Sequence, residues 1–153
     1  MPSSEPSEIP ISIRPARESD LSYIVALDAG HSGDRKPDYW RDIFQRFVAR
    51  GLAGRYFLVA EAAGRVIGFI VGEVRAWEFG SPPTGWVFAI NVDADQRESG
   101  IANRLLEHIC AGFKEQNVDT VRTMISREDT VIMSFFRSQG LKAGPFVELE
   151  KRI

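Results

Sequence analysis

The stretch from Trp86 to Leu106 carries the strongest chemical signal in the chain. An apolar run, Trp86-Val87-Phe88-Ala89-Ile90-Asn91-Val92, gives way to a polar turn, Asp93 to Ser99. Gly100, Ile101 and Ala102 then open an amphipathic pattern. The first N–H groups of a helix have no intrahelical acceptor, and the macrodipole makes that end positive. Glycine at 100 and a small residue at 102 let a bulky anion come close, with Arg97 and Arg104 adding charge on either side. A diphosphate is the natural ligand of such a corner. The same residues also fit an ordinary strand-to-helix turn with a glycine for tightness, because short glycine motifs often bind nothing.

The elements around this corner follow from hydrophobic periodicity. Ile11 to Arg14 alternates as a strand that stops at Pro15. Leu21, Ile24, Val25 and Leu27 line one face of a helix ending near Gly30, with His31 to Lys36 as a loop. Pro37 opens a second helix through Trp40, Ile43, Phe44 and Phe47, closed by Gly51. Strands 56–61 and 66–74 flank Ala62-Ala63-Gly64-Arg65 as a hairpin, and a loop containing Pro82-Pro83 leads to the strand 86–92. Ile101, Leu105, Ile109 and Phe113 mark a third helix reaching about Gln116. A strand over 118–125, a helix over 131–138 ended by Gly140 and a strand over 146–151 complete the order β-α-α-β-β-β-α-β-α-β. The expected fold class is α/β (α+β), one mixed domain over residues 11–153 with a mostly antiparallel sheet and helices on both faces. Residues 1–10 read as a loose tail.

Composition narrows the chemistry. Nineteen basic and 21 acidic side chains leave a net charge of −2 over 153 residues, so no basic face is expected for nucleic acid. One cysteine and two distant histidines supply neither a disulfide framework nor a metal site. No window is apolar enough for a membrane span and the N-terminus lacks a signal-peptide core, so a cytoplasmic protein is expected.

The corner also resembles a known signature. Arg97, Gly100 and Ala102, within Val92-Asp93-Ala94-Asp95-Gln96-Arg97-Glu98-Ser99-Gly100-Ile101-Ala102, resemble the motif of the GNAT superfamily of acyl-coenzyme A dependent N-acetyltransferases. Ile13-Arg14-Pro15-Ala16 with Asp20 is similar to the family's opening. Phe135 to Leu141 is similar to its fourth helix, and Phe146 to Lys151 to its last strand. The resemblance implies the GNAT fold and acetyl-CoA as cosubstrate with no metal, the acetyl group passing directly to a primary amine of a small molecule or peptide N-terminus. It implies that the pantetheine arm lies between strands 86–92 and 118–125. Main-chain groups of Ile90 and Val92 then face the arm, splayed open by a bulge near Asn91. The diphosphate rests on Arg97, Glu98, Ser99, Gly100, Ile101, Ala102 and Asn103, and the Val92 N–H is the oxyanion donor. Asp129 and Phe136 occupy the positions of a cofactor-touching asparagine and of a tyrosine acid.

These last two residues depart from the family pattern. Phe136 cannot donate a proton, which leaves water or Ser134 as the acid; Ser134 also reads as a helix hydroxyl bonded to its own backbone. The strand 86–90 holds no carboxylate, so Glu73 on the neighbouring strand is the candidate base, with Glu78, Asp93 and Ser126 behind it. Glu73 equally fits a solvated polar position. His31, His108 and Cys110 read as structural or exposed, whereas Trp77 and Phe79 suit a partner or subunit contact. The short stretch from Gly140 to Pro145 leaves one sheet edge open or completed by a second subunit as a homodimer. Two rivals stand beside an N-acetyltransferase: an acyl-CoA binding or interaction module without chemistry, and a plain interaction domain whose glycine turn binds nothing.

Overall fold

The computed structural model describes residues 10–153, the side chains of Arg97 and Glu98 excepted, so residues 1–9 of the expected tail lie outside the described residues. The chain forms two compact units, one ending at Thr123 and one running from Met124 to Ile153. The first holds a sheet in the order β1-β2-β3-β4-β5, made of β1 (Ile11–Pro15), β2 (Arg55–Ala62), β3 (Arg65–Arg75), β4 (Thr84–Val92) and β5 (Val121–Thr123). Neighbours are antiparallel except β4 and β5, which run parallel.

Period-two alternation sends side chains to opposite sheet faces. On one face Phe57 and Phe69 meet Trp40 of α2 (Pro37–Phe44), with ring centroids 6.0 and 5.1 Å apart. Ile24 and Val25 of α1 (Leu21–Ser32) join the same core. α1 runs past Gly30 as far as Ser32 and stops where Gly33, at φ +84°, donates its N–H to Ala29. His31 therefore lies in the last helical turn and not in a loop, since a glycine can continue a helix at modest cost while a left-handed residue ends it. Asp28, buried in α1, accepts the Trp40 indole N–H at 3.0 Å and the Lys36 ammonium at 3.1 Å, which fixes the α1–α2 corner. A π-helical turn, Gln45–Ala49, carries α2 onward and turns Phe47 inward.

On the other face lies α3 (Ile101–Glu115), whose Ile101, Leu105, Ile109 and Phe113 are fully or almost fully buried. The sheet admits this helix closely because it has glycines beneath it. A Cβ at Gly72 would sit 2.9 Å from Ile109, and one at Gly85 would overlap the Phe113 ring. At the sheet's first edge Arg14 donates to both oxygens of Asp20 (2.7 and 2.9 Å) and to Glu61 (2.6 Å), tying β1 to β2 and to the start of α1. Burial alone would raise the Asp20 carboxyl, but its bonds from Arg14 and the Arg17 N–H hold it below the ordinary range.

The second unit contains α4 (Thr130–Ser138), capped at its N-terminus by Asp129, whose carboxylate accepts the Ile132 N–H at 3.1 Å. The strand expected over 146–151 is not formed: no described residue after Ser138 belongs to a strand. Alternation makes a segment fit to pair; pairing itself also needs a partner edge, and Val147 and Leu149 remain exposed. β5 likewise covers only the middle of the expected 118–125, because Val118 is used in the turn after α3, where its N–H donates to Phe113.

Gly85→Ala should lower stability by about 1–3 kcal/mol through overpacking against Phe113, a fall in melting temperature of roughly 3–10 °C in a thermal denaturation scan. An unchanged melting temperature would mean that α3 has room to move away from the sheet.

Candidate active site

The site is built on one irregularity in β4. Register runs Ile70↔Ile90 and Val71↔Ala89, then Gly72↔Val87, so Phe88 is an extra residue opposite no partner on β3. The bulge expected near Asn91 thus falls three residues earlier. There Phe88 turns its ring onto Phe47, with centroids 5.5 Å apart, on the α1–α2 face. A bulge bends the strand that carries it, and pairing with β5 ends at the same place: Val87↔Thr123 is the last matched pair, and the Thr123 hydroxyl donates to Val87 O at 2.8 Å. Beyond this fork, β4 from Phe88 to Val92 has no strand along its β5 side among the described residues.

Strand geometry decides which main-chain groups face that open side. The Asp93 N–H donates to Ile67 O of β3 at 2.8 Å. Alternate residues point the same way, so Asn91 and Ala89 also turn their peptide groups to β3 while Ile90 and Val92 turn theirs to the open side. The side chains of Ile90 and Val92 share the α3 face with Ile70 and Gly68, as core positions do, and Asn91 shares the opposite face with Phe69.

Past Val92 the chain makes a 3-10 turn, Ala94–Ser99, capped by Asp93, whose carboxylate accepts the Asp95 N–H at 3.0 Å and pairs with Arg65 at 3.1 Å. Gly100 follows at φ +76°, a conformation L side chains rarely adopt. Gly100 at the N-cap of α3 offers no capping side chain, and the Gly100–Arg104 bond of 3.1 Å is its first i→i+4 link. The N–H groups of Ile101, Ala102 and Asn103 thus precede the helical ladder. Among the described residues, no atom beyond its chain neighbours would lie within 4 Å of a Cβ at Gly100. The corner is shaped to receive an anion, and it lies at the end of the open edge. The main chains of Arg97, Glu98 and Ser99 belong to the turn that leads into it.

The other candidates are placed as follows. Glu73 shares a face with Trp86, its partner on β4, and each of its carboxylate oxygens meets a guanidinium: Arg55 Nε at 3.4 Å and Arg75 Nε at 3.2 Å. Asp129, Ser134 and Phe136 lie in the second unit: Asp129 caps α4, Ser134 is exposed, and Phe136 is buried with its ring 5.1 Å from Phe135. His31, Tyr23, Arg65 and Asp93 line a groove of about 300 Å³ that reaches Asn91 and Val92. Burial pushes the Cys110 thiol up, as for an unreactive filler. Trp77 and Phe79 are exposed, both at positive φ, on the loop before β4. Sequence reasoning missed the role of Phe88, for which an uninterrupted apolar run gives no sign, and the bracketing of Glu73 by arginines distant in sequence. No group of three or more His, Cys, Asp or Glu among the described residues could hold a metal ion, and no described helix is long and apolar enough to cross a membrane.

Comparison with known proteins bears on the family and the fold. The model of the acetyltransferase (GNAT) family matches residues 20–141. The chain belongs to this family and is an acyltransferase. Among solved structures it is similar to aminoglycoside N-acetyltransferase AAC(6')-Iy in complex with CoA, at 17% identity and a TM-score of 0.84, over 97% of this chain and 98% of that one. A second is aminoglycoside 6'-N-acetyltransferase AAC(6')-IG from Acinetobacter haemolyticus, at 20% identity and a TM-score of 0.77, over 93% and 99%. A third is a transcriptional regulator from Bacillus halodurans C-125, at 18% identity and 0.77, over 94% and 100%. At these identities the likeness establishes the fold. No curated protein matches.

Both carboxylate oxygens of Glu73 are engaged by guanidiniums, at 3.4 and 3.2 Å, which suits it to positioning more than to taking a proton. Glu73→Gln should therefore lower kcat less than tenfold in a thiol-release assay. A loss of 10²–10⁴-fold, the range of a lost general base, would make Glu73 the base after all.

Proposed function

We propose that this enzyme transfers an acetyl group from acetyl-CoA to a primary amine by direct attack within a ternary complex. The observation that carries this reading is the open side of β4, which begins at the Phe88 fork and ends at the uncapped start of α3. The diphosphate rests on the N–H groups from Arg97 to Asn103. The pantetheine arm, with its two amides, runs along the peptide groups of Val92 and Ile90 towards the fork.

The fork's position bears on the oxyanion donor. In acetyl-CoA the thioester is at the far end of the arm from the diphosphate. Val92 stands beside the corner and Ile90 is the next open-side N–H towards the fork, roughly 7 Å along the strand. Val92 then serves the arm, and Ile90 supplies the N–H for the developing oxyanion in place of Val92 as first expected. The amine nitrogen attacks the thioester carbon, the C–S bond breaks, and the sulfur leaves as a thiolate. A thiol of pKa about 8.5 makes a tolerable leaving group without an acid, so neither the missing hydroxyl at Phe136 nor the exposed position of Ser134 stops the reaction. The ammonium proton passes to water. Asp129 acts on α4 as a cap, and any contact with acetyl-CoA is a second use of that residue.

The acceptor is a small-molecule amine or a peptide N-terminus. AAC(6')-Iy and AAC(6')-IG are named for aminoglycoside acceptors, which supports the small molecule. We also propose a homodimer in which the C-terminal segment takes part, supported by the exposed alternating residues Val147 and Leu149 and the exposed Ile153. Phe136, where relatives place an acid, favours one second reading: a module that binds acetyl-CoA and releases no thiol.

At 100 times its dissociation constant, acetyl-CoA should stabilise the protein by about 2.7 kcal/mol, raising the melting temperature by roughly 5–10 °C. Gly100→Glu should abolish that shift. A shift without thiol release across a broad amine panel would select the second reading, and no shift at millimolar acetyl-CoA would sink both. Ile90→Pro removes one N–H on the open side while leaving the β3 ladder intact. It should lower kcat by about 10²–10³-fold with acetyl-CoA affinity little changed; an unaltered kcat would return the oxyanion to Val92.

A further inference from the structure

Two irregularities, one in a helix and one in a strand, meet at the fork. Phe88 is the extra residue of β4. In the helix layer the turn Gln45–Ala49 is π-helical, so the Arg50 N–H donates to Gln45 O, five residues back, at 3.1 Å. An α-helix would send that N–H to Arg46 O, so the π turn deprives the Arg46 carbonyl of its usual donor. Arg55 of β2 replaces it, with Nη1 donating to Arg46 O at 3.1 Å. Its guanidinium carbon also lies 5.4 Å from the centre of the Phe47 ring, and its Nε 3.4 Å from Glu73. Phe47, almost wholly buried, meets the Phe88 ring edge-on at 75°, with centroids 5.5 Å apart. Register fixes the sheet end of this chain. Arg55 pairs with Glu73, Glu73 with Trp86 and Trp86 with Arg122, on the face that Arg75 shares two residues along β3. Contacts thus run from Glu73 through Arg55 and Phe47 to Phe88, two residues before Ile90.

Resting on the acetyl-transfer reading, we propose that Phe47 and Arg55 are positioning residues for the transfer. They hold the π turn against the bulge, and the bulge sets where the Ile90 N–H points. The strand needs such a guide, because Trp86 to Val92 is an apolar run in which no residue marks the extra position. Were the bulge to slip two residues on, Phe88 and Ala89 would take Val71 and Ile70 as partners. Ile90 would then be the residue opposite no partner, and the ladder would no longer aim its N–H. Docking of Phe88 on Phe47 favours the register that keeps Ile90 opposite Ile70. A guanidinium suits the other end of the chain, since its flat face lies on a ring while its edge donates to a carbonyl.

Thiol release tests this with acetyl-CoA and whichever amine the wild type turns over fastest, well below the melting temperature of every variant. Phe47→Leu should lower kcat by about tenfold to a hundredfold and leave KM for acetyl-CoA unchanged within about threefold, as expected when a remote change misaims a reacting group. Arg55→Met should do the same. Arg55→Lys should restore part of the loss, because an ammonium keeps the charge and can donate to Arg46 O. The double variant should lose little more than the worse single one, since the two residues act as one unit. If Phe47→Leu fails to fold, the Arg55 pair still decides. A second readout is the Ile90 amide signal of the free protein by nuclear magnetic resonance, which should shift in Phe47→Leu and Arg55→Met. A kcat within about twofold of wild type in both single variants, losses that multiply in the double, or an unmoved Ile90 signal would overturn the proposal. Absence of thiol release by the wild type with every amine would count against acetyl transfer instead, and the Ile90 signal then decides the positioning role by itself.

Discussion

One broken ladder organises this molecule. A strand inside a sheet ordinarily satisfies its peptide groups on both sides, and an open edge invites unwanted pairing. β4 stays paired with β3 on either side of Phe88 and gives up pairing with β5 after Val87, where Phe88 adds a residue that bends the strand. The break sits between two elements that hold it in place. Phe47 packs on Phe88 from the helix face, and the Thr123 hydroxyl caps Val87 O where β5 stops. The result is a short length of backbone with its polar groups turned away from β3, leading to a helix start whose N-cap is a glycine.

The proposed recognition uses the main chain, which is compatible with a shared fold at 17–20% identity. A peptide N–H is the same whichever side chain it carries, so Ile90 and Val92 can serve an open edge while their side chains do no more than fill the core under α3. What the sequence must keep is narrower. A glycine at 100 meets the left-handed φ, small residues at 72 and 85 let α3 lie close, and a bulge at one register position opens the fork.

Those requirements explain what could be read in advance. The helix over 101–115 was legible because four apolar residues recur at helical spacing, and the anion corner was legible because glycine and a small residue stand at its head. Pairing could not be read. Trp86 to Val92 is one unbroken apolar run in which no residue marks the extra position, so the bulge was placed at Asn91 and belongs to Phe88. Phe146 to Lys151 alternates like a strand, yet alternation reports only which faces a segment would present. Gly30 and Gly33 look equally able to end a helix, and φ alone separates them. Arginines at 55, 75 and 122 carry no joint signal until register lines them up.

Two parts of this sheet therefore differ in kind. The donor side is written in backbone conformation, set by a bulge, a glycine and a helix end, and it tolerates wide change in side chains. The face that Arg55, Glu73, Arg75, Trp86 and Arg122 share is written in side chains alone, and any substitution there alters charge or shape directly. A fold can hold the first constant while the second varies, because, Arg55 apart, neither Phe88 nor Gly100 depends on which charges stand at the level of Trp86. A change of Arg75 to a carboxylate would move the local charge by two units without disturbing the fork.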